Sequence, residues 1–173
     1  MLLDCMMEKH VRYHLAETSE DFQKCKAIII EYLEILGIDL AYMDLPDEFA
    51  TMEKKYGANE GALILALDGN EAIGCVGVRK IEPGIAELKR LYVRDSHRGL
   101  QVGVTLLEKA LENARRLGYK KIRLDVIPTL LKAKKLYQSF GFYEIPPYFN
   151  NPVEGTTYME KLLNNEPKLN NAL

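Results

Sequence analysis

Apolar and polar positions change period several times along the chain, and each change marks an element. His10 to Ala16 alternates and predicts a first strand. Thr18-Ser-Glu-Asp21 has the form of a capping box, and Phe22, Cys25, Ile29, Leu33 and Leu36 then recur at helical spacing until Gly37 stops the helix. The stretch from Asp39 to Tyr56 is less regular and is broken by Pro46, with a short helix predicted over Asp47 to Lys55. Two apolar runs, Ala62 to Leu67 and Glu71 to Ile81, flank Asp68-Gly69-Asn70 and predict a hairpin. Pro83-Gly84 turns the chain again into Ile85 to Val93.

The second half alternates strand with helix. Gln101 to Leu117 carries Leu107, Ala110, Leu111, Ala114 and Leu117 on one stripe and stops at Gly118. Lys121 to Ile127 follows as a strand, then a helix starting at Pro128 and containing Ala133, Leu136 and Tyr137, ended by Gly141 before a strand over Phe142 to Ile145. Thr156 to Leu162 predicts one more strand at a sheet edge, and Asn164 to Leu173 is polar and asparagine-rich. The pattern fits one α/β domain over 1–163 followed by a frayed tail over 164–173. Its sheet is mixed and mostly antiparallel, flanked by helices.

Length and charge narrow the class. A chain of 173 residues buries about 70% of its unfolded surface without disulfide or metal. The net charge of −2 and the interleaving of signs give no electrostatic reason to expect nucleic acid. Cys5, Cys25 and Cys75 are an odd, widely spaced set, which predicts reduced thiols in a cytoplasmic protein. The first residues lack a basic segment and a long apolar run, so neither a signal peptide nor a membrane span is expected. Cys5, His10 and His14 match no zinc spacing, and no metal is expected.

The candidate chemistry centres on the junction after Val93. A loop leading from a strand into a helix presents backbone N–H groups that the first turn cannot satisfy, at the positive end of the helix dipole. It is therefore a seat for an anion. Gly99 and Gly103 allow close approach, and Arg98 adds a fixed charge with a fork of donors. The loop has neither the lysine of a Walker loop nor the spacing of a dinucleotide fingerprint. The preceding strand carries Glu87, Lys89 and Arg90, charges that are costly inside a covered sheet unless paired or open to a cleft. Pairing of Glu87 with a basic neighbour and exposure to a cleft both remain open at this level.

Arg98, Gln101 and Gly103 resemble the acyl-CoA pyrophosphate loop of the GNAT superfamily of N-acetyltransferases, with Gln101 in place of the usual glycine. Ala133, Leu136, Tyr137, Gly141 and Phe142 resemble that superfamily's second signature, with Leu130 where an asparagine is usual. Ile145-Pro-Pro-Tyr148 through Met159-Glu160 is similar to a branch of small bacterial members. The resemblance implies a sheet that splays between its fourth and fifth strands around acetyl-CoA as cosubstrate. It implies that Leu91, Tyr92 and Val93 pair with the pantetheine, and that Arg98, Gly99, Leu100, Gln101, Val102, Gly103 and Val104 hold the pyrophosphate. Glu87 then corresponds to the general base, acting directly or through water, and Tyr137 to the acid that meets the leaving thiolate. The acceptor implied is a small-molecule or peptide amine, met by variable segments such as Leu36 to Tyr56, of which Asp39 to Tyr56 is placed to overhang the cleft; Tyr42, Phe49, Tyr56 and Tyr148 are candidate wall residues. Cys75 reads as a core residue, while His97 either approaches the cofactor or faces water. A homodimer is left open, and the alternatives are a non-catalytic acyl-CoA-binding module of the same fold or a domain for another phosphorylated ligand.

Overall fold

A computed structural model describes residues 11–37, 45–57 and 59–163. The elements in order are β1 (Val11–Leu15), α1 (Ser19–Leu36), α2 (Leu45–Ala50), α3 (Met52–Tyr56), β2 (Ala62–Asp68), β3 (Glu71–Glu82) and β4 (Ile85–Val93), followed by a 3-10 turn at Asp95–His97. The chain continues with α4 (Val102–Arg116), β5 (Lys121–Val126), α5 (Leu131–Ser139), β6 (Tyr143–Ile145) and β7 (Thr157–Leu162). Cys5, His10, Tyr42 and the tail from 164 lie outside the described residues.

Thr18 caps α1 as its sequence predicts. Its hydroxyl accepts from the Asp21 backbone while the Asp21 carboxylate accepts from the Thr18 backbone. Pro46 does not break the next segment: it sits in the first turn of α2, where the missing N–H goes unused, and the break falls instead at Thr51 between α2 and α3. Pro128 likewise lies in a turn, closed by Leu130 N donating to Ile127 O, so α5 begins three residues later than expected.

Seven strands form one sheet in the order β1-β2-β3-β4-β5-β7-β6, antiparallel except for β4 against β5. The expected edge position of the last strand is corrected here. β7 pairs on one side with β5 and on the other with the three-residue β6, which takes the edge. Strand alternation divides the interior in two. Ile64 and Ala66 of β2 join Leu106, Leu107 and Ala110 of α4 in one cluster, whereas Leu63 and Leu65 join Cys25, Ile29 and Leu33 of α1 in the other. Each such leucine or isoleucine contributes about 1.5–3 kcal/mol by leaving water. Both faces of β2 are covered, which is why its sequence reads as a continuous apolar run.

Two local features open the sheet. β4 pairs with β5 only at Ile85–Lys121, Ala86–Ile122 and Glu87–Arg123, after which the strands separate. Opposite Val76 of β3, β4 inserts both Arg90 and Leu91, because Lys89 pairs with Gly77 and Tyr92 with Cys75. Arg90 adopts a left-handed φ of 62° at this bulge. Such a bulge bends and twists its strand, here just where β4 leaves β5.

Candidate active site

The gap between β4 and β5 holds two cavities that meet. The first, about 720 Å³, has Leu91, Tyr92 and Val93 along one wall and the stretch from Thr129 to Ala133 along the other. Arg98, Gly99 and the run from Gln101 to Val104 stand at its mouth. Beyond Glu87 the β4 backbone no longer pairs with β5, so among the described residues its polar groups on that edge are left to pair with a ligand. Gln101 takes a left-handed φ of 61° and turns the loop into α4, whose first residues, Val102 to Val104, line this cavity. Leu100 stands apart, 49% exposed and outside the cavity wall.

The loop is braced from behind. Arg94 chelates Glu31 of α1 through Nε and Nη2, and the Tyr92 hydroxyl donates to the same carboxylate at 2.9 Å. These bonds hold the Glu31 carboxyl below the usual range. His97 is buried against Asp68 at 3.0 Å and lines the cleft, so it does not face water. Arg98 remains the available charge, its side chain 57% exposed and anchored, among the described residues, to Asp95 and the Val93 carbonyl.

The second cavity, about 360 Å³, lies deeper and shares Tyr32, Leu91 and Leu130 with the first. Tyr137 reaches it from α5. Its hydroxyl makes no hydrogen bond to a described residue, and no described buried side-chain oxygen lacks a partner, so this hydroxyl opens into the cavity. Burial pushes its phenol well above the ordinary value, which keeps it protonated. Tyr32, stacked on Tyr92 at 4.9 Å between centroids, is pushed up to about 12, chiefly by burial.

Glu87 does not line either cavity. Its side chain, 2% exposed, lies beneath the floor and receives Arg79 Nε and Nη2 at Oε2, at 2.8 and 2.7 Å. At Oε1 it accepts from the Tyr148 hydroxyl at 2.8 Å, with Lys89 Nζ at 3.5 Å. Of the two readings left open by the sequence, pairing with a basic neighbour is therefore met, across the hairpin register Arg79–Glu87.

These observations find a counterpart in known proteins. A family model described as the acetyltransferase (GNAT) family matches residues 28–142. A Schizosaccharomyces pombe protein named an uncharacterized N-acetyltransferase is 38% identical over 156 residues, covering 89% of this chain and 96% of that one. The chain belongs to the GNAT acetyltransferase family. The fold agrees with a crystal structure of a GNAT-family acetyltransferase from Staphylococcus aureus, with a TM-score of 0.77 at 19% identity over 90% of this chain and 100% of that one. A PaiA N-acetyltransferase from Thermoplasma acidophilum in complex with coenzyme A aligns with a TM-score of 0.63 at 19% identity, over 87% of this chain and 99% of that one.

Several residues of this GNAT protein's second cavity were missed by sequence reading. Of the expected aromatic walls, Phe49 packs under Lys26, Tyr56 is buried against Glu48, and Tyr148 turns down onto Glu87. Tyr32 and Phe149 line the cavity in their place, with Leu33 and Leu36 from the end of α1. Its charged walls are Glu48, Arg79, Lys89, Arg90 and Asp125. Glu48 reaches Arg90 at 2.7 Å from α2, a contact between segments more than forty positions apart that no local pattern announces. Among the described residues no group of His, Cys, Asp and Glu could hold a metal ion, and no helix is long and apolar enough to cross a membrane.

Proposed function

We propose that residues 1–163 act as a single N-acetyltransferase domain that moves the acetyl group of acetyl-CoA to a primary amine by direct attack. The observation that carries this reading is the early parting of β4 from β5, after Glu87, between an anion-accepting helix start and an open tyrosine hydroxyl. Pantetheine fits along Leu91–Val93 as an added strand, and the pyrophosphate fits the N–H groups of Val102 to Val104 with Arg98 beside them. The thioester then lies where the two cavities meet, at Tyr32, Leu91 and Leu130.

In the reaction the free amine nitrogen forms a bond to the thioester carbonyl carbon, and the carbon–sulfur bond breaks. Tyr137 gives its proton to the departing thiolate and regains one from solvent. The amine, near pKa 10.4 if lysine-like, must first lose a proton. Glu87 accepts it at one remove, because the carboxylate lies below the floor: the Tyr148 hydroxyl, already donating to Oε1, passes its own proton down as it takes one from a water that has taken the amine's. Bulk water or Asp125, which does line the cavity, are the competing acceptors.

Thiol release from acetyl-CoA over a panel of amines tests this function. Release with at least one amine is expected. Tight binding of acetyl-CoA with no release for any amine would favour the binding module, and stabilisation by ATP or NAD alone would favour another phosphorylated ligand; a ligand at 100 times its Kd stabilises by about 2.7 kcal/mol.

A further inference from the structure

The charges around the second cavity are not equivalent. Arg90 and Glu48 close on each other at 2.7 Å, with side chains 6% and 8% exposed. Lys89 and Asp125 also meet at 2.7 Å, and Asp125 Oδ2 accepts from Asn151 Nδ2 at 2.8 Å. Arg79 differs from both pairs. Its partner Glu87 lies below the floor, and the contacts use only Nε and Nη2, both on Oε2. Nη1 makes no hydrogen bond to a described residue, and since no described buried nitrogen lacks a partner, this edge of the guanidinium is open. At 27% exposed, the Arg79 side chain is the most accessible charge on the cavity wall.

Lys89 stands on the same buried carboxylate, at Oε1, while Arg79 stands at Oε2. The floor thus presents two cations on one buried acid, Lys89 being paired in addition with Asp125 at 2.7 Å. An ammonium placed above them meets like charge, whereas a carboxylate meets an unfilled guanidinium edge with an ammonium beside it. Asp125, which pairs with Lys89 at 2.7 Å, lines the same cavity as Tyr32 and Tyr137, so it gives a ligand's ammonium a carboxylate beside the cations. A cavity of about 360 Å³ is at the small end of sites for small molecules.

We propose that the acceptor is a small amino acid whose carboxylate is held by Arg79 and Lys89, leaving its amine toward Asp125 and the thioester. This rests on the acetyl-transfer reading given above. It excludes a polyamine as the preferred acceptor, because such a ligand would place a second ammonium over the two cations.

The test compares amino acids with their own decarboxylation products, which lack the carboxylate at issue: leucine with 3-methylbutylamine, phenylalanine with phenethylamine, lysine with cadaverine. The full set of common amino acids is screened alongside. Melting of the CoA-saturated protein and thiol release from acetyl-CoA are both measured. At least one amino acid should raise the melting temperature and react with a kcat/KM at least about tenfold above that of its decarboxylated amine. Arg79→Lys keeps a charge opposite Glu87 but removes the open edge, so it should raise KM for that amino acid by about tenfold or more relative to KM for its decarboxylated amine, with acetyl-CoA affinity retained. Lys89→Gln should narrow the same preference. The proposal is overturned if the decarboxylated amines equal or surpass their parents, if both variants leave the preference intact, or if no amino acid shifts melting or releases thiol. A melting shift by an amino acid without thiol release would instead contradict the transfer reaction and leave the carboxylate site standing.

Discussion

The Tyr148 hydroxyl donates to Glu87 Oε1 at 2.8 Å, tying the segment after β6 to the middle of β4. If this bond carries the proton, Tyr148→Phe and Glu87→Gln interrupt one path and their effects should not add. Glu87→Gln should lower kcat/KM by about 10²–10⁴-fold, the range for a positioned general base. Adding Tyr148→Phe should then cost little more. Full additivity in steady-state kinetics would place Tyr148 outside the path, and an active Glu87→Gln would remove Glu87 as base.

Tyr137→Phe removes one hydroxyl that bonds no described residue, so the fold should keep its melting temperature. The expected signature is a fall in kcat with unchanged acetyl-CoA affinity, because the hydroxyl acts on the thiolate that forms only as the reaction proceeds. Weaker acetyl-CoA binding with kcat intact would make it a ground-state contact.

Glu48 and Arg90 link α2 to the bulge of β4 in a buried pair. Glu48→Ala takes from the buried Arg90 guanidinium the carboxylate at 2.7 Å and should destabilise by about 1.5–3 kcal/mol in urea unfolding, the range for a hydrogen bond to a charged group. Burial alone would raise the Glu48 pKa, but the Arg90 hydrogen bond and charge carry it below the ordinary value. Glu160 behaves alike: burial raises it, and bonds from Tyr143, Arg123 and Lys121 more than reverse this. A carboxyl depressed in the folded state contributes stability above its unfolded pKa, about 4.3, and loses it as pH falls through the folded value. Unfolding free energy should therefore hold near pH 5–7 and drop below about pH 4, by less in Glu48→Gln than in the parent.

Tyr56 fills the space a side chain at position 77 would need. A Cβ there would lie 2.6 Å from Tyr56 Cε1, and the ring is fully buried with its hydroxyl on Glu48. Gly77→Ala should cost about 1–3 kcal/mol, the range for overpacking, read as a lower urea midpoint at unchanged slope. An unaffected midpoint would mean that the Tyr56 ring is free to move.

What the sequence made legible was whatever a short range of residues decides. The Thr18–Asp21 capping box, the turn at Asp68-Gly69-Asn70 and the helical stripe of Leu107, Ala110, Leu111 and Ala114 all follow from neighbours within one or two turns. The splay between the fourth and fifth strands was implied by the resemblance and is met by the separation of β4 from β5. The interior position of β7 was not legible, because its partner β6 is only three residues long and offers almost no alternation to read. The Arg79–Glu87 pair is intermediate: counting back from the Pro83-Gly84 turn suggests it, but only the realised register makes it certain. The cavity walls were least legible. Tyr32, Phe149 and Asp125 come from three distant segments, each locally indistinguishable from an ordinary packing or surface position.

Acetyl-CoA binding in the β4–β5 cleft is the claim on which the rest depends, and calorimetric titration of Gly103→Val beside Arg98→Ala tests it most directly. A Cβ at Gly103 meets only Val93 Cγ2, at 3.7 Å, an ordinary contact, and the Arg98 side chain is mostly exposed, so neither change should disturb the fold. Valine at the first turn of α4 would block close approach of the pyrophosphate to the backbone, and loss of Arg98 would remove a charge-assisted bond worth about 1.5–3 kcal/mol. The parent protein should bind acetyl-CoA, with both variants weaker by about tenfold or more at unchanged melting temperature of the free protein. Parent and variants binding acetyl-CoA equally well would contradict the account and place the pyrophosphate elsewhere.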